Sequence, residues 1–381
     1  MPPMPANQMP IYLDHNASTP VHPEVVEAML PYLRERFGNP SSNHAYGQQA
    51  REAIARAREQ VASLLGCQPD EIVFTSGGTE ASNLAIRGVA EVSSRRQIVT
   101  SVVEHPATAR PCAYLERHGF QVARMSVSGD GQVQVDEARS LVCGSTALVT
   151  VMLAQNETGT LMPIREIARA AHEQQALMHT DAAQAVGKIS VRVDDLDVDL
   201  LSIAGHKLYA PKGVGALYVR RGTVLAPLVL GAGHERGLRP GTENVASIVG
   251  LGVACELVRR DLEAESARER DLRDELFQQL SVGVPGLRLN GHPTERLPNT
   301  LNVSFPGVRG SALLAAAPEI AASTGSACHE GNETPSDVLL AMDMKPSVAL
   351  GAVRLSIGRS TTRDQLAQAV RALVRAYRAI A

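Results

Sequence analysis

Between Gln48 and Leu65, apolar residues fall at Ala50, Ile54, Ala57, Val61, Leu64 and Leu65. Spacings of three and four predict an amphipathic helix that packs one face. Short aliphatic or β-branched runs follow at Glu71–Thr75, Gln97–Ser101, Ala147–Leu153, Ala176–Thr180, Val198–Ile203 and Gly215–Val219, and these predict strands. Helical stretches such as Ile164–Gln174 lie between several of them, so strands alternate with helices as in an α/β sheet covered on both faces.

From Val253 to Leu280 the chain is charged and almost unbroken, with Leu257, Leu262, Leu272 and Leu276 as sparse apolar contacts. Such a helix suits a passage from one domain into another. The chain closes on a helix from about Arg363, with Leu366, Val370, Leu373 and Tyr377 on one face. The expected division is a proline-rich arm over residues 1–10, a large domain over 20–258, and a smaller domain built from 11–19 and 259–381.

Composition narrows the function classes. Hydrophobic residues make up 44% of the 381, enough for a substantial core, and 37 Lys+Arg against 40 Asp+Glu leave a net charge of -3. That balance argues against direct binding to nucleic acid. No apolar run approaches a membrane span, and residues 1–10 do not read as a signal peptide, so the expected setting is cytoplasmic, with no membrane partner. The five cysteines lie far apart without a C-x-x-C pair, which predicts neither a disulfide framework nor a metal site.

Ligands of open α/β sheets gather at the carboxyl ends of strands. Four such places carry chemistry. Ser76-Gly77-Gly78-Thr79-Glu80 enters a helix and offers free backbone N–H groups to a phosphate, or is simply a structural turn. His105 follows a strand, where a histidine serves catalysis or structure alike. Asp181 closes a strand, suited either to a protonated heteroaromatic nitrogen or to capping a helix. Lys207, in Gly205-His206-Lys207, is placed to attack a carbonyl.

Together these places resemble the pyridoxal-phosphate enzymes of the class V aminotransferase group, most closely the cysteine desulfurases. The resemblance covers nearly the whole chain. It includes Tyr12-Leu13-Asp14-His15-Asn16-Ala17-Ser18-Thr19-Pro20, Phe37–Ser42, the stretch Gly233–Thr242, Ser323-Thr324-Gly325-Ser326-Ala327-Cys328 and Val353–Arg359. It implies an α/β fold of fold-type I, with a mixed, mostly parallel sheet flanked by helices and a smaller α+β domain. It implies that Lys207 holds pyridoxal 5′-phosphate covalently, Asp181 partners the pyridine nitrogen, Gln184 donates to the ring hydroxyl, and His105 stacks on the ring and moves protons. Gly78, Thr79 and His206 would hold the phosphate, with Thr242 reaching in from the partner of a homodimer. Asn156 and Arg354 would bind the carboxylate of L-cysteine.

By the same resemblance, Cys328 takes sulfur from cysteine as a persulfide, releases alanine and passes the sulfur to an acceptor protein. DNA phosphorothioation, tRNA thiolation and iron–sulfur assembly are the candidate pathways. The other four cysteines are expected to be buried small hydrophobes. Two features depart from the pattern. Ala204 stands where many desulfurases have a serine, removing one phosphate hydroxyl, and Ala327–Leu339 and Leu350–Thr362 are also similar to selenocysteine lyases. A selenocysteine lyase is therefore the alternative, with a transaminase or a cofactor-free sulfur-transfer scaffold further away.

Overall fold

The computed structural model describes residues 9–325 and 334–381 in full, and residues 328, 329, 332 and 333 by their backbone. The arm expected over residues 1–10 therefore lies, for residues 1–8, outside the described residues. A seven-stranded sheet runs in spatial order Ile72–Thr75, Gly215–Val219, Leu200–Ala204, Leu177–Asp181, Thr146–Thr150, Gln97–Ser101 and Gln121–Met125. Gly215–Val219 is antiparallel to both neighbours, and every other pairing is parallel.

Successive strand residues point to opposite faces, and the sheet uses both. Val73, Ile98, Leu148, Leu200 and Leu217 join one core with the helices Gly78–Val92 and Pro106–Glu116. Phe74, Val99, Val149, Leu201 and Ala216 face the other core, against the helices Ala45–Leu65 and Ile164–Glu173. Because these strands are covered on both sides, they read as continuous apolar runs. The edge strand Gln121–Met125 is partly exposed, and its mixed sequence carries no such run, so the hydrophobic pattern misses it.

The helix expected from Val253 begins at Val245, where Asn244 caps it by accepting the Ser247 N–H, and runs to Gly283. Gly250 and Gly252 look like breakers but are packing residues. A Cβ on Gly252 would lie 2.6 Å from the Ala57 Cα, and one on Gly250 2.8 Å from the Met29 sulfur, so the glycines let neighbouring helices approach closely. Leu251, Ala254 and Val258 of this helix enter the core beside the large sheet, while Leu272, Leu276 and Leu280 enter another. That second core also holds Leu13, Leu301, Val303, Leu355, Leu366 and Leu373. It covers a three-stranded antiparallel sheet, in the order Ala352–Ser356, Thr300–Ser304, Arg288–Leu289.

Near the N-terminus, Ile11–Tyr12 pairs in parallel with Ile320–Ala321, and Asp14 bridges to Ser356. The chain then crosses to the large sheet, where the Thr19 N–H donates to the His206 carbonyl at 2.9 Å. Residues 13–19 thus link the second core to the carboxyl ends of the large sheet's strands. Among the described residues no helix is long and apolar enough to cross a membrane.

Candidate active site

A cavity of about 260 Å³ opens at these carboxyl ends. Gly78, Thr79, His105, Asn156, Asp181, Gln184, His206 and Lys207 all line it, together with Ala204. Five separate strands deliver them, which is why no local window of sequence contains the site.

At one end lies the start of the helix Gly78–Val92. Its cap residue Gly77 sits at φ +151, a conformation that side chains rarely adopt, and a Cβ on Gly215 of the adjacent strand would lie 2.7 Å from the Gly77 Cα. Glycines at both positions therefore let this turn close tightly. The first-turn N–H groups of any helix lack intrahelical acceptors, and the helix dipole adds partial positive charge there. Ser76-Gly77-Gly78-Thr79 is thus a structural turn whose free N–H groups are suited to an anion.

Asp181 ends its strand, fully desolvated, and its Oδ1 accepts the Ala183 N–H at 2.9 Å. It caps no helix. Burial pushes its carboxyl up, against the opposing pull of that hydrogen bond, His105 and Lys207. His105 caps the helix Pro106–Glu116, its Nδ1 accepting the Ala107 N–H at 3.1 Å. In the neutral ring this leaves the proton on Nε2. Burial and Lys207 push the His105 ring down, and Asp181 pulls it back up. The structural reading of this histidine as a helix cap holds, and its ring also lines the cavity.

Lys207 follows the strand Leu200–Ala204 on a tight turn, and its Nζ donates to the carbonyls of Asn16 at 2.5 Å and Ala17 at 2.9 Å. Burial and the Arg354 charge lower its pKa to about 8, against Asp14 and Asp181. Near neutral pH a useful fraction of this amine is unprotonated and nucleophilic. His206 beside it is pushed down to about 4, mainly by burial.

Two expected residues lie off this cavity. Arg354 is buried nearby, paired with Asp14 at 2.7 Å and donating to the Asn156 carbonyl at 3.0 Å, while its Nε has no hydrogen-bond partner among the described residues. Thr242 is exposed and lines a different cleft with Ser76, Gly213 and Arg239. The side chain of Cys328, and that of His329, lie outside the described residues; by its backbone, Cys328–His329 pairs with Asn332–Glu333.

Of the remaining cysteines, Cys112 and Cys255 are buried, as expected, and burial pushes both thiols up to about 12. Cys67 is half-buried, whereas Cys143 is exposed. Its Sγ lies 3.1 Å from Ser145 Oγ and 3.2 Å from Gln97 Oε1, and the Ser145 contacts lower its pKa. The expectation of a buried hydrophobe fails there because Cys143 sits in the loop before a strand rather than in it.

Sequence reasoning assigned no role to Asn16, Asp14 or Lys188. The Asn16 carbonyl accepts from both Lys207 and Gln184, and its Oδ1 accepts from Lys188 at 3.0 Å. Asp14 and Asn16 lie within the quoted stretch Tyr12–Pro20, so the signal was present without a partner to interpret it. Lys188, four residues beyond Gln184, has no comparable signal.

The model of the family described as Aminotransferase class-V matches residues 11–368. A cysteine desulfurase of Trichormus azollae is 49% identical over 359 residues, covering 93% of this chain and 90% of that protein. The cysteine desulfurase NifS of Azotobacter vinelandii is 46% identical over 365 residues, covering 95% and 91%. A solved structure described as a NifS-like protein superposes with a TM-score of 0.90 at 36% identity, covering 96% of this chain and 99% of that one.

Proposed function

The chain belongs to the class-V aminotransferase family and is a pyridoxal-phosphate-dependent cysteine desulfurase, and from that premise we propose which of its residues do the work. The kinship with desulfurases sets the selenocysteine lyase reading aside. The residue assignments are carried by one observation: Lys207, Asp181, His105 and the helix start at Gly78–Thr79 converge on a single cavity.

The donor set fits pyridoxal 5′-phosphate. A helix N-terminus at one end suits a phosphate, a buried carboxylate suits a ring nitrogen that must stay protonated, and a lysine amine lowered to about 8 suits an aldehyde. Ala204 leaves an apolar spot beside the helix start, so one hydroxyl that a phosphate could use is missing there. When bound, the cofactor supplies an electron-accepting ring that stabilises charge at the substrate α-carbon.

Every remaining task falls to this chain. Lys207 holds the cofactor covalently. With the cofactor bound, Asp181 would supply a carboxylate to the ring nitrogen, Gln184 would donate to the ring hydroxyl, and His206 would join Gly78 and Thr79 in holding the phosphate. His105, with its proton on Nε2, covers the ring face and carries protons. Asn156 and Arg354 grip the carboxylate of L-cysteine; a guanidinium already oriented by Asp14 loses little freedom in doing so. Cys328, as thiolate, attacks the substrate sulfur. An S–S bond forms on Cys328, the substrate C–S bond breaks, and its electron pair stays with the fragment that leaves as alanine after protonation. The persulfide sulfur then passes to an acceptor protein in the cytoplasm.

A homodimer is part of the proposal, with Thr242 completing the partner's phosphate site. Its exposure, away from its own cavity, supports a role in trans. The large domain over 20–258 would carry the cofactor, and 11–19 with 259–381 would carry Cys328. Borohydride trapping of the holoenzyme, followed by peptide mapping, tests the core assignment: Lys207 should carry the label, and Lys207→Ala should lose both label and alanine release. A label on another lysine overturns it.

A further inference from the structure

Asn156 takes part in the site, but its neighbour Glu157 is the more constrained residue. The Glu157 N–H donates to Gln155 Oε1 at 2.5 Å, and its carbonyl accepts from Asn302 Nδ2, on the central strand of the three-stranded sheet, at 3.1 Å. Its carboxylate lies between two points of the chain that flank Cys328. On the C-terminal side, Ser336 Oγ donates to Glu157 Oε2 at 2.6 Å. Ser336 is itself buried, and its Oγ accepts the Leu339 N–H at 3.3 Å, so this hydroxyl is held from both directions. On the N-terminal side, a Cβ on Gly325 would lie 2.4 Å from the same Oε2, so the Gly325 backbone rests directly on the carboxylate.

Further contacts tie this arrangement to the substrate groups. Ser323 and Arg354 exchange backbone hydrogen bonds of 3.3 and 2.7 Å, and the Arg354 guanidinium donates to the Asn156 carbonyl at 3.0 Å. Desolvation raises the Glu157 carboxyl to about 7, with Arg354 opposing and Asp337 reinforcing. A buried carboxylate is costly unless its partners are in place. Here the hydrogen-bond partner is Ser336 on one side of Cys328, and Gly325 packs against the carboxylate on the other.

We propose that Glu157 is a positioning residue that clamps Gly325 and Ser336 together, and so sets where Cys328 is delivered against the substrate held by Asn156 and Arg354. This rests on the reading of Cys328 as the persulfide carrier. Glu157 fixes the separation of Gly325 and Ser336, and small displacements of a reacting group cost large factors in rate.

The test compares wild-type holoenzyme with Glu157→Ala, Glu157→Gln, Ser336→Ala and the Glu157→Ala/Ser336→Ala pair. Two quantities are read: the cysteine concentration at the midpoint of the change in cofactor absorbance, and the single-turnover rate of persulfide formation on Cys328 by mass spectrometry. Glu157→Ala and Ser336→Ala should each slow persulfide formation by roughly 10- to 100-fold with the binding midpoint unchanged. The double variant should be no slower than the worse single one. Glu157→Gln keeps an acceptor for Ser336 and should stay within about threefold of wild type. A wild-type rate in Glu157→Ala or in Ser336→Ala, a loss carried wholly by the binding midpoint, or fully additive losses in the pair would overturn the clamp. Should Glu157→Ala fail to fold, Ser336→Ala and Glu157→Gln still decide. A wild-type persulfide on a cysteine other than Cys328 sinks the underlying reading instead, and the mapping in the wild-type arm tells the two failures apart.

Discussion

The ammonium of Lys188 donates to the side-chain carbonyl of Gln184 at 2.7 Å, and both residues are buried. The same ammonium donates to Asn16 Oδ1 at 3.0 Å, while Gln184 Nε2 donates to the Asn16 carbonyl at 3.0 Å. Lys188 thus settles which way the Gln184 amide faces, with its oxygen turned to the cation and its N–H groups turned to Asn16 and the cavity. The desolvation is severe enough to lower Lys188 to about 7.

Lys188→Met should therefore leave the buried Gln184 Oε1 without this donor, while Asn16 Oδ1 keeps the Asn299 amide at 3.1 Å. The expected loss of stability is about 1–3 kcal/mol, read as a lower urea midpoint at pH 6.5. Cofactor affinity should fall with it, because the Gln184 amide is released to rotate. An unchanged midpoint together with unchanged affinity would show that the cation orients nothing.

Ala204 lines the cavity beside the helix start; a Cβ on Gly78 would lie 3.1 Å from the Ala204 Cβ. A hydroxyl at position 204 faces the phosphate cradle. Ala204→Ser should tighten cofactor binding by about 1 kcal/mol, roughly fivefold, in a titration of the apoprotein. Equal or weaker affinity in the serine variant counts against this placement of the phosphate.

The cysteines differ in accessibility, and alkylation makes that visible. In a Cys328→Ser background, a thiol reagent on the folded protein should label Cys143 rapidly and leave Cys112 and Cys255 unlabelled, following exposure and thiolate fraction. Cys143→Ser in the native background should leave alanine release unchanged, whereas Cys328→Ser should bind cysteine and release no alanine. Normal alanine release from Cys328→Ser would remove Cys328 from the reaction.

His179 is fully buried, with Nδ1 2.7 Å from Thr150 Oγ1 and Nε2 2.9 Å from Ser202 Oγ. Burial lowers its pKa to about 3. Because the folded value lies below the ordinary 6.5, its contribution is fully present above pH 6.5 and is lost as the pH falls toward 3. In that window unfolding takes up a proton, which adds up to ~1.4 kcal/mol of lost stability per pH unit. Urea unfolding between pH 6.5 and 4.5 should show a slope shallower by that amount in His179→Gln. His15 and His206, both lowered to about 4, and His105, also lowered, have the same sign and should keep their part of the slope. Parallel curves for the two proteins would contradict the assignment.

Much of this molecule was legible in its residues. The buried strands announced themselves because a sheet covered on both faces requires unbroken apolar runs, and the long helix did so because one chain segment contacts two cores in turn. Lys207, Asp181, His105 and Gly78–Thr79 could be picked out because ligands of such sheets gather where parallel strands end. The edge strand Gln121–Met125 could not, since it is partly exposed and its sequence is mixed; the buried strands Thr300–Ser304 and Ala352–Ser356 could not because Asn302 and Arg354 interrupt their apolar runs. The long helix starts at Val245 rather than Val253 because Gly250 and Gly252, which would weaken a free helix, sit where two helices touch, and the touching partner lies about 200 residues away. The pairing of Arg354 with Asp14, the buried contact of Lys188 with Asn16, and the seat of Glu157 between Gly325 and Ser336 were decided by tertiary structure alone. Each joins residues distant in sequence, and the energy of a buried charge depends on what surrounds it in space, which no local pattern of residues records.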